Sequence, residues 1–204
     1  MRLTTGFPAS WRFCQLGLLL SLSSLCIAQQ AALGIHRDIS QLTDEAATIF
    51  QGRVVSATVE PHPEFSSLMT VLVTMHVDEV LKGGTVREIT FRQYVWDVRA
   101  RYNGAGYSKG QELLLFLRPP SQYGLTSPAG LQQGRFVIYR DAAGRAEAVN
   151  GDGNLGLFDR LPANAKAHRA VLPAASLSLA SKRSGPVDVT VLKQVVRAFT
   201  GQSQ

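Results

Sequence analysis

The stretch Lys109-Gly-Gln-Glu-Leu-Leu-Leu-Phe-Leu-Arg-Pro-Pro120 limits what this chain can fold into more tightly than any other. Leu113 through Leu117 are large and apolar without interruption. A run so apolar and so short is a strand buried on both faces or the end of a buried helix. Punctuation favours the strand, because Gly110 precedes the run and Pro119 ends it at strand length. What comes before it reads as strands able to pair with it. What comes after reads as closure of the same barrel or sandwich.

The clearest periodicity lies upstream. Met69, Val71, Val73, Met75 and Val77 alternate with Thr70, Leu72, Thr74, His76 and Asp78, which predicts a half-buried strand with His76 on its more polar side. Leu81-Lys-Gly-Gly84 turns that strand into Val86–Val95, with Ile89 and Phe91 inward, so the two form a hairpin. An earlier strand spans Ile49–Val59, and Gly52 interrupts its alternation in the way a bulge does. Beyond the apolar run, Gly134–Arg140 is a fifth strand, and Asp141-Ala-Ala-Gly144 turns it into a weak sixth over Arg145–Val149.

Helical signals stand at both ends of the folded part. Asp38 or Ser40 caps a short helix carrying Ile39, Leu42 and Ala46. Near the end, Leu192, Val195, Val196 and Phe199 make one apolar stripe, with Asp188 as N-cap, Val187 placed to staple and Gly201 as C-cap. Five or six short strands, a bulged first strand and one packed helix predict a mainly β fold, a small Greek-key barrel of the OB type.

The beginning of the chain is an address. Arg2 and Arg12 stand in and beside a polar start, and the apolar run Cys14–Ile27 is shorter than the roughly 18 residues a membrane span needs. It reads as a secretory signal peptide cut after Ala28, an uncleaved anchor being the alternative. Cleavage removes Cys14 and Cys26, and with them any disulfide or thiol chemistry. It also removes Arg2 and Arg12, so the 21 Lys and Arg become 19 against 15 Asp and Glu, a net charge of +4. The charges are scattered rather than clustered, which argues against a nucleic-acid partner. The expected organisation is a signal peptide over 1–28, a lead-in over 29–37, the barrel over 38–156, an Ala/Ser-rich linker or surface loop over 157–185 and the final helix over 186–201, with no membrane span after cleavage.

Several motifs carry a resemblance. Ile49-Phe-Gln-Gly-Arg-Val54, Thr74-Met-His-Val-Asp-Glu-Val-Leu-Lys-Gly83, Lys109–Leu117 and Gly130-Leu-Gln-Gln-Gly-Arg-Phe136 resemble a group of small exported bacterial proteins of unknown role. These look like the OB barrel of tissue inhibitors of metalloproteinases and netrin-like domains. The likeness covers about Asp38 to Val149 and rests on core and turn residues, so it implies a fold first. It also implies a protein partner, with a secreted metalloprotease as the candidate. The inhibitors' N-terminal Cys has no counterpart here, since the new terminus would be Gln29.

The sequence carries few signatures of chemistry. His36, His62, His76 and His168 have no metal-ligand spacing. Asn150-Gly-Asp-Gly-Asn154 opens like a calcium loop, but Leu155 and Leu161 stand where Gly and a bidentate Glu are needed, so it reads as a turn. No serine lies in a Gly-x-Ser-x-Gly elbow. No catalytic, metal or cofactor-binding residue is therefore expected. The surface that stands out is the Gly-rich loop with Tyr94, Trp96, Arg99, Arg101, Tyr102 and Tyr107, whose interleaved aromatics and arginines suit a protein or a glycan. The alternative is that Trp96 and Tyr107 plug a barrel end. The functional expectation is an exported, non-enzymatic protein-binding module. The alternatives are a hydrolase or protease accessory with an unrecognised site and an envelope glycan binder.

Overall fold

The computed structural model describes residues 36–95 and 104–201. The expected signal segment and most of the lead-in lie outside these residues. The described chain is mainly β, with a helix near each end. β1 (Thr48–Pro61), β2 (Met69–Lys82), β3 (Glu88–Tyr94), β4 (Glu112–Leu117), β5 (Arg135–Arg140), β6 (Ala146–Asn150) and β7 (Val187–Asp188) form one seven-stranded antiparallel sheet in the order β3-β2-β1-β4-β5-β6-β7. Among the described residues the sheet is not closed, since no ladder joins β3 to the far strands, so the mainly β expectation holds without the barrel.

β4 stands at the centre, as its sequence demands. It pairs with β1 over Thr48–Arg53 and with β5 over Arg135–Val137, and every one of its residues is buried. Alternation sends its side chains to opposite faces and divides the core in two. Leu113, Leu115 and Leu117 join Phe50, Val71, Val73, Met75 and Phe91 on one face. Leu114 and Phe116 join Leu42, Phe136, Phe158, Leu192 and Val196 on the other. Each such side chain contributes about 1.5–3 kcal/mol on burial.

β1 and β2 are long, and their ladder shifts register at Gln51/Gly52, where the sequence placed a bulge. A Cβ on Gly52 would lie 2.2 Å from the His76 carbonyl oxygen, so only glycine lets the two backbones approach. His76 itself faces outward and is exposed.

The helices cover the second face. In α1 (Ile39–Glu45) the Gln41 N–H donates to the Asp38 carboxylate while the Gln41 side chain accepts from the Asp38 N–H, a complete capping box. The last helix, Val189–Thr200, is capped by Asp188, which accepts from the Val191 N–H, and stops at Gly201 in the left-handed region. It packs against α1, β2 and β6.

Between them, the stretch expected as a linker or loop is structured and part of the core. It contains α2 (Leu161–His168), so the last helix is α3, and a 3-10 helix over Ala174–Ser181. Leu157, Phe158, Leu161, Ala165 and Leu179 are buried there. The expectation failed because α2 starts from Arg160 in the left-handed region with no side-chain cap, and so lacks the usual start signal. Asn150–Asn154 is the expected turn: the Asn154 N–H donates to Asn150 Oδ1 at 2.7 Å, and the Asn154 amide donates to Ala148 and Gly185 carbonyls.

Candidate functional site

After β4, Pro119 and Pro120 prevent a return hairpin, and the chain instead runs as a strap across the open end of the sheet. Its base is tied to β4 by the Ala129 N–H on the Phe116 carbonyl at 2.7 Å and by a bridge between Leu117 and Pro128. Its tip reaches β3, where the Thr126 N–H donates to the Arg92 carbonyl at 2.8 Å. The tip also meets the β1–β2 loop, where His62 Nε2 lies 3.0 Å from the Tyr123 carbonyl oxygen and the Phe65 and Tyr123 rings stand edge to face at 5.3 Å. Phe65 is 40% exposed and Tyr123 50%.

Between strap and β3 lies a groove of about 480 Å³, lined by Gln93, Tyr94, Arg118, Ser121, Leu125 and Ser127 among others. Apolar wall, hydroxyl, amide and one guanidinium alternate along it. Such a surface can accept and donate hydrogen bonds to an extended backbone while packing on its side chains.

Of the residues expected at a binding site, Tyr94 lines this groove. Trp96, Arg99, Arg101 and Tyr102 lie outside the described residues. Tyr107 does not belong to an exposed surface: it is 3% exposed and its hydroxyl donates to Gln93 Oε1 at 2.8 Å. Its ring stands edge to face with Phe91 at 5.9 Å and carries the Arg135 guanidinium 4.7 Å from its centroid. Burial pushes its phenol up to about 12, against the opposing pull of Arg135. Tyr107 is thus a buried, protonated side chain that holds Gln93 rather than an exposed contact residue.

A second constellation escaped the sequence reading. Glu112, at the start of β4, is 7% exposed and accepts from Gln51 Nε2 at 2.6 Å and from Arg140 at 2.7 and 3.0 Å, with Arg53 at 3.4 Å. Hydrogen bonds from Arg140 hold its carboxyl below the usual glutamate range in spite of burial, with Gln51 and Arg53 helping. Gln51 in turn accepts from Lys193 Nζ at 2.8 Å, and Lys193 reaches Glu79 at 2.7 Å, to which Arg197 is also bonded. The network fastens α3 to β1, β2, β4 and β5. Its only sequence signal was Lys193 and Arg197 at i and i+4, one helical face of like charge that calls for an acidic counterpart. Its two carboxylates, Glu112 and Glu79, are both taken up by Arg140, Arg53, Lys193 and Arg197, so its chemistry is that of a clamp.

The histidines stay dispersed. His36, His76 and His168 each lie within 4 Å of one carboxylate, and His62 pairs only with backbone. Among the described residues no three metal-ligating side chains come together, and no helix is long and apolar enough to cross a membrane. No protein-family model, curated protein or solved structure matches the chain. The functional reading therefore rests on the groove.

Proposed function

We propose that the chain is an exported, non-enzymatic module that binds an extended segment of a protein partner in the groove between β3 and the strap, a secreted metalloprotease being the first candidate. The carrying observation is the groove: a concavity of about 480 Å³ with Tyr94 and Leu125 on its walls and Arg118, Ser121 and Ser127 offering hydrogen bonds. The exposed Phe65–Tyr123 pair on the adjoining loop extends that surface. Aromatics and arginine are the residue types that dominate binding energy at protein interfaces. The strand order β3-β2-β1-β4-β5 supports the OB-type reading, since it is the order in which such a barrel is laid out before closure.

Immobilised native protein and a Tyr94→Ala/Arg118→Glu variant are compared for capture from the native envelope, with purified secreted metalloproteases as a defined arm. Loss of a central aromatic anchor costs about 2 kcal/mol, roughly 30-fold in affinity. Retention of the same species by both proteins, with equal melting temperatures, refutes the groove as the site. A glycan binder would instead retain envelope polysaccharide through exposed rings such as Phe65 and Tyr123.

A further inference from the structure

His62 is the one histidine held on both ring nitrogens by backbone. The Glu64 N–H lies 3.2 Å from Nδ1, and the Tyr123 carbonyl oxygen lies 3.0 Å from Nε2. A backbone N–H can only donate and a carbonyl can only accept, so these two contacts fix the proton: Nε2 carries it and Nδ1 offers its lone pair. The residue is 5% exposed. Its loop is itself pinned, with the His62 N–H donating to Leu68 O at 2.7 Å and the Phe65 N–H to His62 O at 3.2 Å.

We infer that His62 is a proton-operated latch on the strap, closed when the ring is neutral and released when it takes a second proton. A proton on Nδ1 sets N–H against N–H at hydrogen-bond distance and removes the Glu64 contact. The ring must then rotate or withdraw, and the bond to Tyr123 goes with it. The ionisable groups on the elements that meet here are Glu64 on the same loop, the Tyr123 phenol on the strap and the Glu60–Arg92 pair on β1 and β3, whose charges satisfy each other at 2.8 Å. Among the described residues no carboxylate forms an ion pair with His62, unlike His36, His76 and His168. The Phe65 ring, 5.1 Å away, offers a π face to an imidazolium, but it lies on the same loop and does not replace the tie to the strap.

Release acts on the groove, because Ser121 and Leu125, which line it, flank Tyr123 on the strap tip. The latch therefore regulates the binding groove proposed above, and in that respect rests on that reading: neutral conditions hold it formed, and acid loosens it. An exported protein takes the pH of its surroundings, so the device would couple capture to external acidity.

The test needs no ligand. Amide hydrogen exchange of the full chain, corrected for intrinsic rates, is followed from about pH 8 to about pH 5 at Ser121, Thr126 and Glu64. The Ser121 and Thr126 amides bond to Leu125 O and Arg92 O in the closed strap. Their protection is expected to fall about tenfold or more on acidification in the native chain and to stay level in His62→Gln, which keeps a donor for Tyr123 and cannot titrate. Ring nitrogen shifts at neutral pH should report the Nε2–H tautomer. Protection independent of pH, an equal fall in His62→Gln, or an Nδ1–H ring overturns the latch. Binding is scored apart: a strap that opens in acid on a protein that captures nothing at any pH sinks the groove reading and leaves the latch standing.

Discussion

Gly52→Ala isolates the closest backbone contact in the sheet. At Gly52, β1 is held on both sides, opposite Val77 on β2 and Leu113 on β4. An alanine Cβ would lie 2.2 Å from the His76 oxygen, 3.2 Å from its carbonyl carbon and 3.3 Å from the Val77 Cα, all backbone atoms. Restoring an ordinary 3.4 Å contact requires β1 and β2 to part by 1.2 Å (3.4 less 2.2). That stretches neighbouring ladder bonds beyond hydrogen-bond range, at about 1 kcal/mol net for each one lost. Overpacking strain adds about 1–3 kcal/mol, and the stiffer unfolded chain returns about 0.4–1 kcal/mol. The net expectation is about 2–3 kcal/mol, which for a domain of this size lowers the melting temperature by about 5–10 °C. Gly84→Ala is the internal control: nothing lies within 4 Å of its added Cβ and its φ is not positive. That substitution should be neutral or raise stability by about 0.4–1 kcal/mol. Thermal and urea melts of the parent and both variants give the answer. Equal melting of the two variants, or Gly52→Ala within about 1 °C of the parent, refutes the close-approach argument.

Two further perturbations probe the rest of the frame. Leu115, fully buried between Phe50 on β1 and Arg135 on β5, should not tolerate Asp: an unpaired carboxylate there costs several kcal/mol against a total stability of about 5–15, and a soluble Leu115→Asp variant with a cooperative melt would show the central strand to be misassigned. Glu112 has its folded pKa lowered, chiefly by Arg140, so its contribution is fully present above the ordinary glutamate range and is lost as pH falls through that range to the lower folded value. Glu112→Gln should therefore cost about 1–2 kcal/mol near neutrality and flatten the acid limb of the stability profile, and urea midpoints that fall in parallel for both proteins below that range would contradict this.

How much of this was legible depended on how local the cause was. The β2 alternation, the Leu113–Leu117 run, the Asp38 and Asp188 caps and the Gly83 turn each follow from neighbours a few residues apart, and each stands where the sequence put it. Closure of the sheet was not local. It turns on whether β3 meets β5, and the strap fills that edge through Arg92 and Leu125, a contact no side-chain period encodes. α2 and the 3-10 helix were hidden because Arg160 and Arg169 take left-handed conformations usually left to glycine and because no cap announces the start. At the site, Tyr94 could be read as an aromatic beside a Gly-rich loop. The burial of Tyr107 depended on a hydroxyl partner 14 residues upstream, and the role of His62 on a carbonyl 61 residues downstream. A lone histidine between two prolines looked like any loop residue.

The two ends of the strap are held by unequal means, and this decides where the groove can move. At the base, Ala129 bonds to Phe116 and Pro128 bridges to Leu117, both residues of a strand buried on each face. Opening there would expose β4 itself, so the base should unfold only with the domain. At the tip, the ties include the Arg92–Leu125 bridge with the Thr126 bond to Arg92, the His62 contact and the half-exposed Phe65–Tyr123 pair. Apart from the buried His62 ring, these ties involve half-buried or exposed residues, so the tip is expected toward the low-stability end of the molecule. On the latch proposed above, the groove wall carrying Ser121 and Leu125 would move about the base and leave both cores in place. Tyr94 and Gln93 on the opposite wall cannot follow: β3 is paired to β2 through Tyr94, and Gln93 is braced by the buried Tyr107. A wall braced by β2 and Tyr107 thus faces one whose tip is held by a few contacts, and that is where the latch proposed above would act.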